Sequence, residues 1–281
     1  MTLETKTYKS NVNYSVYKIL KDCLRDYRDS FYLAKQLAKR DVGAQYRQSF
    51  LGIFWAFAPV LMNASVWIFL NLSGTIKLTQ TNIPYPLFVV IGTTIWTVFT
   101  ECLLMSISSV NANKSIITKI NFQKEALITL GGIKLILNLL IKFILVIALM
   151  LVYQIPITLS ILWFIPVLFI SMLAFISLGI LLTPLAILYH DITRVIPVLM
   201  QLLMYLTPVV YVIPQAGFMK ILMELNPLTY LITNIRNTLT GLPLENGFFL
   251  LTFASCAILL ALPAMIIYRI SMPIITERMS A

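Results

Sequence analysis

Six apolar stretches, each long enough to cross a bilayer, constrain this chain more than any other feature: residues 51–72, 85–108, 135–153, 157–183, 195–213 and 248–268. A span needs ~20 mostly apolar residues to cross ~30 Å of hydrocarbon. Hydrophobic residues make up 59% of the chain and charged residues 11%, against ~45–50% and ~25% in ordinary soluble domains. A soluble core has no room for that much apolar surface, so the excess faces lipid. The predicted fold class is an all-α integral membrane protein with six transmembrane helices. In the fourth stretch, Pro166 and Thr183-Pro184 predict a kink or an early end.

The basic residues set sidedness. A net charge of +10 would suit a nucleic-acid binder, but its distribution points to anionic lipid. Nearly half of the 21 lysines and arginines precede residue 50, interleaved with Asp22, Asp26, Asp29 and Asp41. With the N-terminus inside, only Lys77, Lys220 and Arg236 fall outside, so both termini are expected in the cytoplasm. Residues 1–50 form a basic segment ahead of a six-helix domain, 51–281. Within it Leu20, Leu24, Tyr27, Phe31, Ala34, Leu37 and Ala38 recur at helical spacing. That stripe predicts an amphipathic interfacial helix, or a pair broken near Asp29-Ser30, with its apolar side in the acyl boundary. Arg40 to Ser49 then turns the chain into the first span. Gly43 and Gly52 supply backbone freedom there, Trp55 suits the interface and Arg47 can reach phosphates.

The segment 214–247 is too apolar for a solvated loop and is interrupted at Asn226-Pro227 and Gly241-Leu242-Pro243. Neither half can span, so two short re-entrant helices are predicted between spans five and six.

Motifs for enzymatic chemistry are missing from the sequence. It contains no G-x-x-x-x-G-K-[ST] for ATP and no H-E-x-x-H for zinc. Its one histidine, His190, reads with Asp191 as a polar pair at a membrane interface. Charges inside the spans are Glu101, Lys134 and Lys142, and such residues are functional candidates by default. At 1.5 Å per residue, Glu101 lies ~24 Å from the outer end of span two, Lys142 ~17 Å and Lys134 ~29 Å from that of span three. Burial forces pairing, so Glu101 is expected to pair with a lysine and lock the two spans together. Phe54 and Trp55 in span one, with Tyr205 and Tyr211 in span five, are candidates for lining a path, since sugars stack on aromatic faces.

Four stretches carry a resemblance. "RDVGAQYRQSFLGIFWAFAPVL", "IITKINFQKEAL", "YHDITRVIPVLMQLLMYLTPVVY" and "LNPLTYLITNIRNTLTG" occur in this order. Together they resemble the permease subunit of type-2 ABC exporters, in the polysaccharide-export branch (O-antigen, capsule or teichoic acid). Gln123, His190 and Thr207 depart from the pattern, standing where proline, arginine and serine are common.

The resemblance implies a homodimer with two separate P-loop ATPase subunits beneath it, in a bacterial cytoplasmic membrane. ATP and magnesium would be bound by those partners, with no cofactor on this chain. The cargo would be a lipid-linked polysaccharide leaving the cytoplasm. Arg40, Tyr46, Arg47, Leu51 and Gly52 would form the hinge where the interfacial helix meets span one. The loop 109–134 would be the coupling segment, with Lys114, Lys119, Phe122, Lys124 and Glu125 meeting the ATPase. Asn226, Pro227, Arg236 and Gly241 would belong to an external gate. Two rival readings stay open. One is a channel or secondary transporter without an ATPase, though no inverted repeat is evident. The other is an intramembrane enzyme acting on lipid-linked sugars.

Overall fold

A computed structural model describes residues 16–47, 50–52, 54–74, 81–120, 122–156 and 158–280. Among these residues the regular secondary structure is all helical. In order the helices are α1 (Val16–Asp29), α2 (Phe31–Arg47), α3 (Phe54–Leu72), α4 (Tyr85–Ala112), α5 (Lys114–Ile117) and α6 (Glu125–Val152). They are followed by α7 (Ile161–Leu188), α8 (His190–Tyr205), α9 (Phe218–Leu225), α10 (Pro227–Thr240) and α11 (Gly247–Ser280). Five of them, α3, α4, α6, α7 and α11, are long and apolar enough to cross a membrane.

Helix α4 is the centre of the bundle, buried along most of its length between α3, α6 and α7. Stacked rings of Phe99 and Phe175, 4.5 Å apart, join α4 to α7. Where the two cross, Gly179 lies against the backbone of Leu103 with no room for a Cβ. Small residues allow such close approach between membrane helices. Gly179→Ala is therefore expected to cost about 1–3 kcal/mol by forcing α4 and α7 apart, read as a lower melting temperature in detergent; an unchanged value would mean the crossing yields freely. The outer faces of α3, α6 and α11 carry exposed Phe69, Leu140, Ile144, Ile147, Leu251 and Leu259, as lipid-facing surfaces do.

Several predicted boundaries need correction. The third span was expected over 135–153, but its helix starts ten residues earlier at Glu125, so the loop 109–134 shrinks to a short elbow containing α5. Gly131 lies inside α6, where the helix presses on Met105 and Ser109 of α4. Span four does not end at Thr183-Pro184; α7 continues through Pro166 and Pro184 to Leu188. Just before Pro184, the Thr183 hydroxyl donates to the Gly179 carbonyl at 2.7 Å. The last helix runs on past 268 to Ser280.

The largest difference is at span five, which is not one continuous helix over 195–213. Helix α8 ends at Tyr205 and irregular backbone follows from Leu206 to Gly217. Pro208 lacks an N–H and disfavours a helical residue before it, so the helix stops there.

The interfacial segment is two helices, with the break at Ser30. Its stripe packs on protein more than was expected. Ala34, Leu37 and Ala38 lie against Ala126 and Leu130 of α6, leaving Phe31, Tyr32 and Leu33 outward. At the turn into α3, Gly52 has a left-handed φ of 49°, which favours glycine; Gly43 stays inside α2. Leu51, Phe54 and Trp55 are exposed beside the turn. The side chains of Tyr46 and Arg47, the first fifteen residues and Lys77 lie outside the described residues.

Candidate functional site

The stop of α8 at Tyr205 leaves backbone carbonyls that no helix satisfies, and in an apolar bundle each must find a donor. Side chains from three places collect them. The Tyr205 carbonyl accepts from the Tyr211 hydroxyl. The Leu206 carbonyl accepts from Asn226 Nδ2 at 3.0 Å, which also reaches Thr207 Oγ1 at 2.9 Å. Arg236 donates twice to Pro208 O at 3.1 Å and once to Val209 O at 2.7 Å. Tyr85 takes Val210 O at 3.0 Å.

Arg236 is 6% exposed, and the described residues give it no carboxylate. Its guanidinium instead lies 3.6 Å over the Phe88 ring. Gly92 of α4 has no side chain there, which leaves room for Val209 and Arg236. Helix α10 is built to hold this position. Asn226 caps its start, accepting from the Leu228 N–H at 3.0 Å ahead of Pro227. Gly241 closes it in the left-handed conformation at φ 82°. Asn226, Pro227, Arg236 and Gly241 thus share one element, and two of them brace the irregular backbone after α8.

Beside this brace sits an aromatic group. Trp67 of α3 lies 6.4 Å from both Tyr205 and Tyr211. The predicted path residues therefore divide: Tyr205 and Tyr211 cluster with Trp67, while Phe54 and Trp55 lie at the opposite, basic end of α3.

Deeper in the bundle, Lys142 Nζ lies 2.6 Å from Glu101 Oε1 and is 2% exposed. Lys134 does not join this pair. It faces Asp41 of α2 at 3.8 Å, because α2 packs across the start of α6. Glu101 and Lys142 border a cavity of about 270 Å³ lined also by Asn63, Thr93, Thr97, Thr100 and Gln201. Gln201 Nε2 donates to the Tyr205 hydroxyl at 3.2 Å, linking the cavity to the aromatic group. The sequence reading missed Trp67, Gln201 and the threonines, which sit in otherwise apolar runs. Their signal was the spacing of Thr93, Thr97, Thr100 and Glu101, which share one face of a helix.

At the basic end, Arg269 of α11 bonds Asp26 at 2.5 Å and Glu125 at 2.8 Å, tying α1, α6 and α11 together. Glu125 is buried in that contact and so points inward. Burial, with the Glu125 charge beside it, pushes the Cys23 thiol up, so it stays protonated and unreactive. Arg40 reaches Asn113 at 2.6 Å at the start of the α5 elbow. Lys114 is half-buried, Lys119 is exposed and Lys124 stands 4.9 Å over the Phe122 ring. Thr118, Lys119, Phe122, Lys124, Arg269 and Thr276 are among the residues around a cleft of about 1080 Å³.

Residues 32–240 match the family model described as ABC-2 type transporter. Over 202 residues the chain is 25% identical to the O-antigen export system permease protein RfbA of Myxococcus xanthus, covering 70% of this chain and 76% of the relative.

Proposed function

The chain belongs to the ABC-2 type transporter family, and from that premise we propose that it is the transmembrane subunit of an ATP-driven exporter of a lipid-linked polysaccharide. The observation that carries the cargo is the likeness to a permease whose name states O-antigen export. The polar cavity leading to a tyrosine-tryptophan cluster supports it, since a sugar chain needs hydroxyl partners and flat faces rather than one tight site.

In this reading the chain works as a homodimer in a bacterial cytoplasmic membrane. Its basic end and both termini are cytoplasmic, and α9 and α10 dip into the outer leaflet. Two P-loop ATPase subunits bind ATP and magnesium and dock in the cleft around α5. Arg40–Asn113, Asp41–Lys134 and the Arg269 contacts tie the elbow to α2, α6 and α11. A push on the elbow then moves the interfacial helices and the bundle as one unit. ATP can shift the permease only through contacts that differ between two arrangements, and the elbow is where those contacts would act.

Purification of the tagged chain from its native membrane tests the reading. A separate P-loop ATPase should accompany it in stoichiometric amount. Lys119 and Ile120 are exposed on the elbow, and Lys119→Glu with Ile120→Asp should cut the recovered ATPase at least tenfold while permease yield holds. A chain that purifies as a bare oligomer would turn the assignment to a channel, a secondary transporter or an enzyme.

A further inference from the structure

We propose that the cavity between α3, α4, α6 and α8 is a binding site for one sugar ring of the passing polymer, an inference that rests on the exporter reading above. Its chemistry selects the ligand. The donors on its walls are largely used within the protein. Thr93 donates to Val89 O at 2.8 Å, Thr97 to Thr94 O at 2.8 Å and Thr100 to Trp96 O at 3.0 Å. Trp96 Nε1 donates to Met200 O at 3.1 Å and Asn63 Nδ2 to Pro59 O at 3.0 Å. Gln201 Nε2 is held by Tyr205.

What remains is a surface of acceptors: the threonine oxygens and the Asn63 and Gln201 carbonyls.

Charge excludes the simpler ligands. Glu101 and Lys142 neutralise each other. With no net charge on its walls, the cavity offers an anion or a metal cation no counter-ion, and its free acceptors suit a neutral donor-rich molecule. The remaining walls are Pro59, Pro197, Met200 and Met204, apolar surfaces suited to the C–H face of a sugar ring. At ~30 Å³ per water, the cavity holds about nine waters or one ring, well short of an oligosaccharide. The hydrogen bond from Gln201 to Tyr205 leads from here to the Trp67 cluster, so a ring leaving the cavity finds an aromatic face next.

The test uses the full chain in its host. Thr97→Val with Thr100→Val removes two acceptors and keeps side-chain shape. It should lower surface glycan about tenfold at unchanged permease level and ATPase recovery, and the serine pair should restore it. A photo-crosslinking residue at position 201 of the otherwise unaltered chain should give a glycan-reactive smear above the permease band. Full export by the valine pair, or crosslinks to lipid alone, overturns the site. If the valine pair fails to accumulate, the crosslink decides. Deleting the chain separates the two ideas. Loss of surface glycan on deletion together with full export by the valine pair removes only the sugar site. Glycan untouched by deletion removes the exporter reading, and the site with it.

Discussion

Methionine in place of Arg236 is expected to lower the melting temperature in detergent by ~10 °C, the scale of a 3–4 kcal/mol loss in a chain of this size. Methionine is apolar and fills much of the same space, so packing over Phe88 largely survives. The three hydrogen bonds do not, and the Pro208 and Val209 carbonyls lose their donors inside the bundle. Each orphaned buried group costs about 1–3 kcal/mol, and the guanidinium–ring contact is worth up to ~2 kcal/mol when desolvated. Part of this is offset, because a buried cation without a carboxylate is itself unfavourable. The loss still dominates, since the irregular backbone after Tyr205 has no other anchor of this kind on α10 besides Asn226. Arg236→Lys should fall between the two. It keeps the charge but lacks the planar fork that serves two carbonyls at once. Thermal unfolding followed by size-exclusion chromatography would check the order wild type, lysine, methionine. A methionine variant that melts with the wild type would mean that the backbone after α8 is held by its packing alone.

The sequence signals for this brace were real but one-dimensional. Asn226-Pro227 and Gly241 marked the start and end of α10, because a capping side chain, a proline at the first turn and a left-handed glycine are local features. The role of Arg236 depends on Pro208 and Val209, nearly thirty residues away, and on an absent side chain at Gly92. No periodicity carries that information. Hydropathy likewise continued span five through Thr207-Pro208, since the residues after the break are as apolar as those before it. At α6 the same measure erred in the other direction. It started the span at residue 135, when Gly131 serves a helix crossing and Lys134 has a carboxylate brought in by α2. Depth along a helix axis placed Glu101 between the two lysines, which left the partner undecided. Rotation about that axis decides which lysine meets the carboxylate, and rotation is fixed only when α4 and α6 pack.

Glu101→Gln should destabilise the protein by about 3–5 kcal/mol, because it leaves a nearly fully buried ammonium without its counter-ion. Lys142→Met should cost less. The Glu101 side chain keeps 35% exposure toward the cavity, where water can reach a lone carboxylate. Combining the two changes should recover most of the stability, since replacing a buried ion pair by neutral groups of similar volume is often close to neutral. Exchanging the charges, Glu101→Lys with Lys142→Glu, should recover part of it, the geometry being fitted to the original order. Folded yield and melting temperature read this series directly. Export then separates two roles that stability alone merges. If the pair only locks α4 to α6, the Gln/Met double variant exports at the wild-type rate once it folds. If the exposed part of the Glu101 carboxyl group also accepts from a passing sugar, the double variant folds but its export stays low, because its amide offers a weaker acceptor than a carboxylate. The second result is the expected one, and wild-type export by the folded double variant would reduce the pair to a lock.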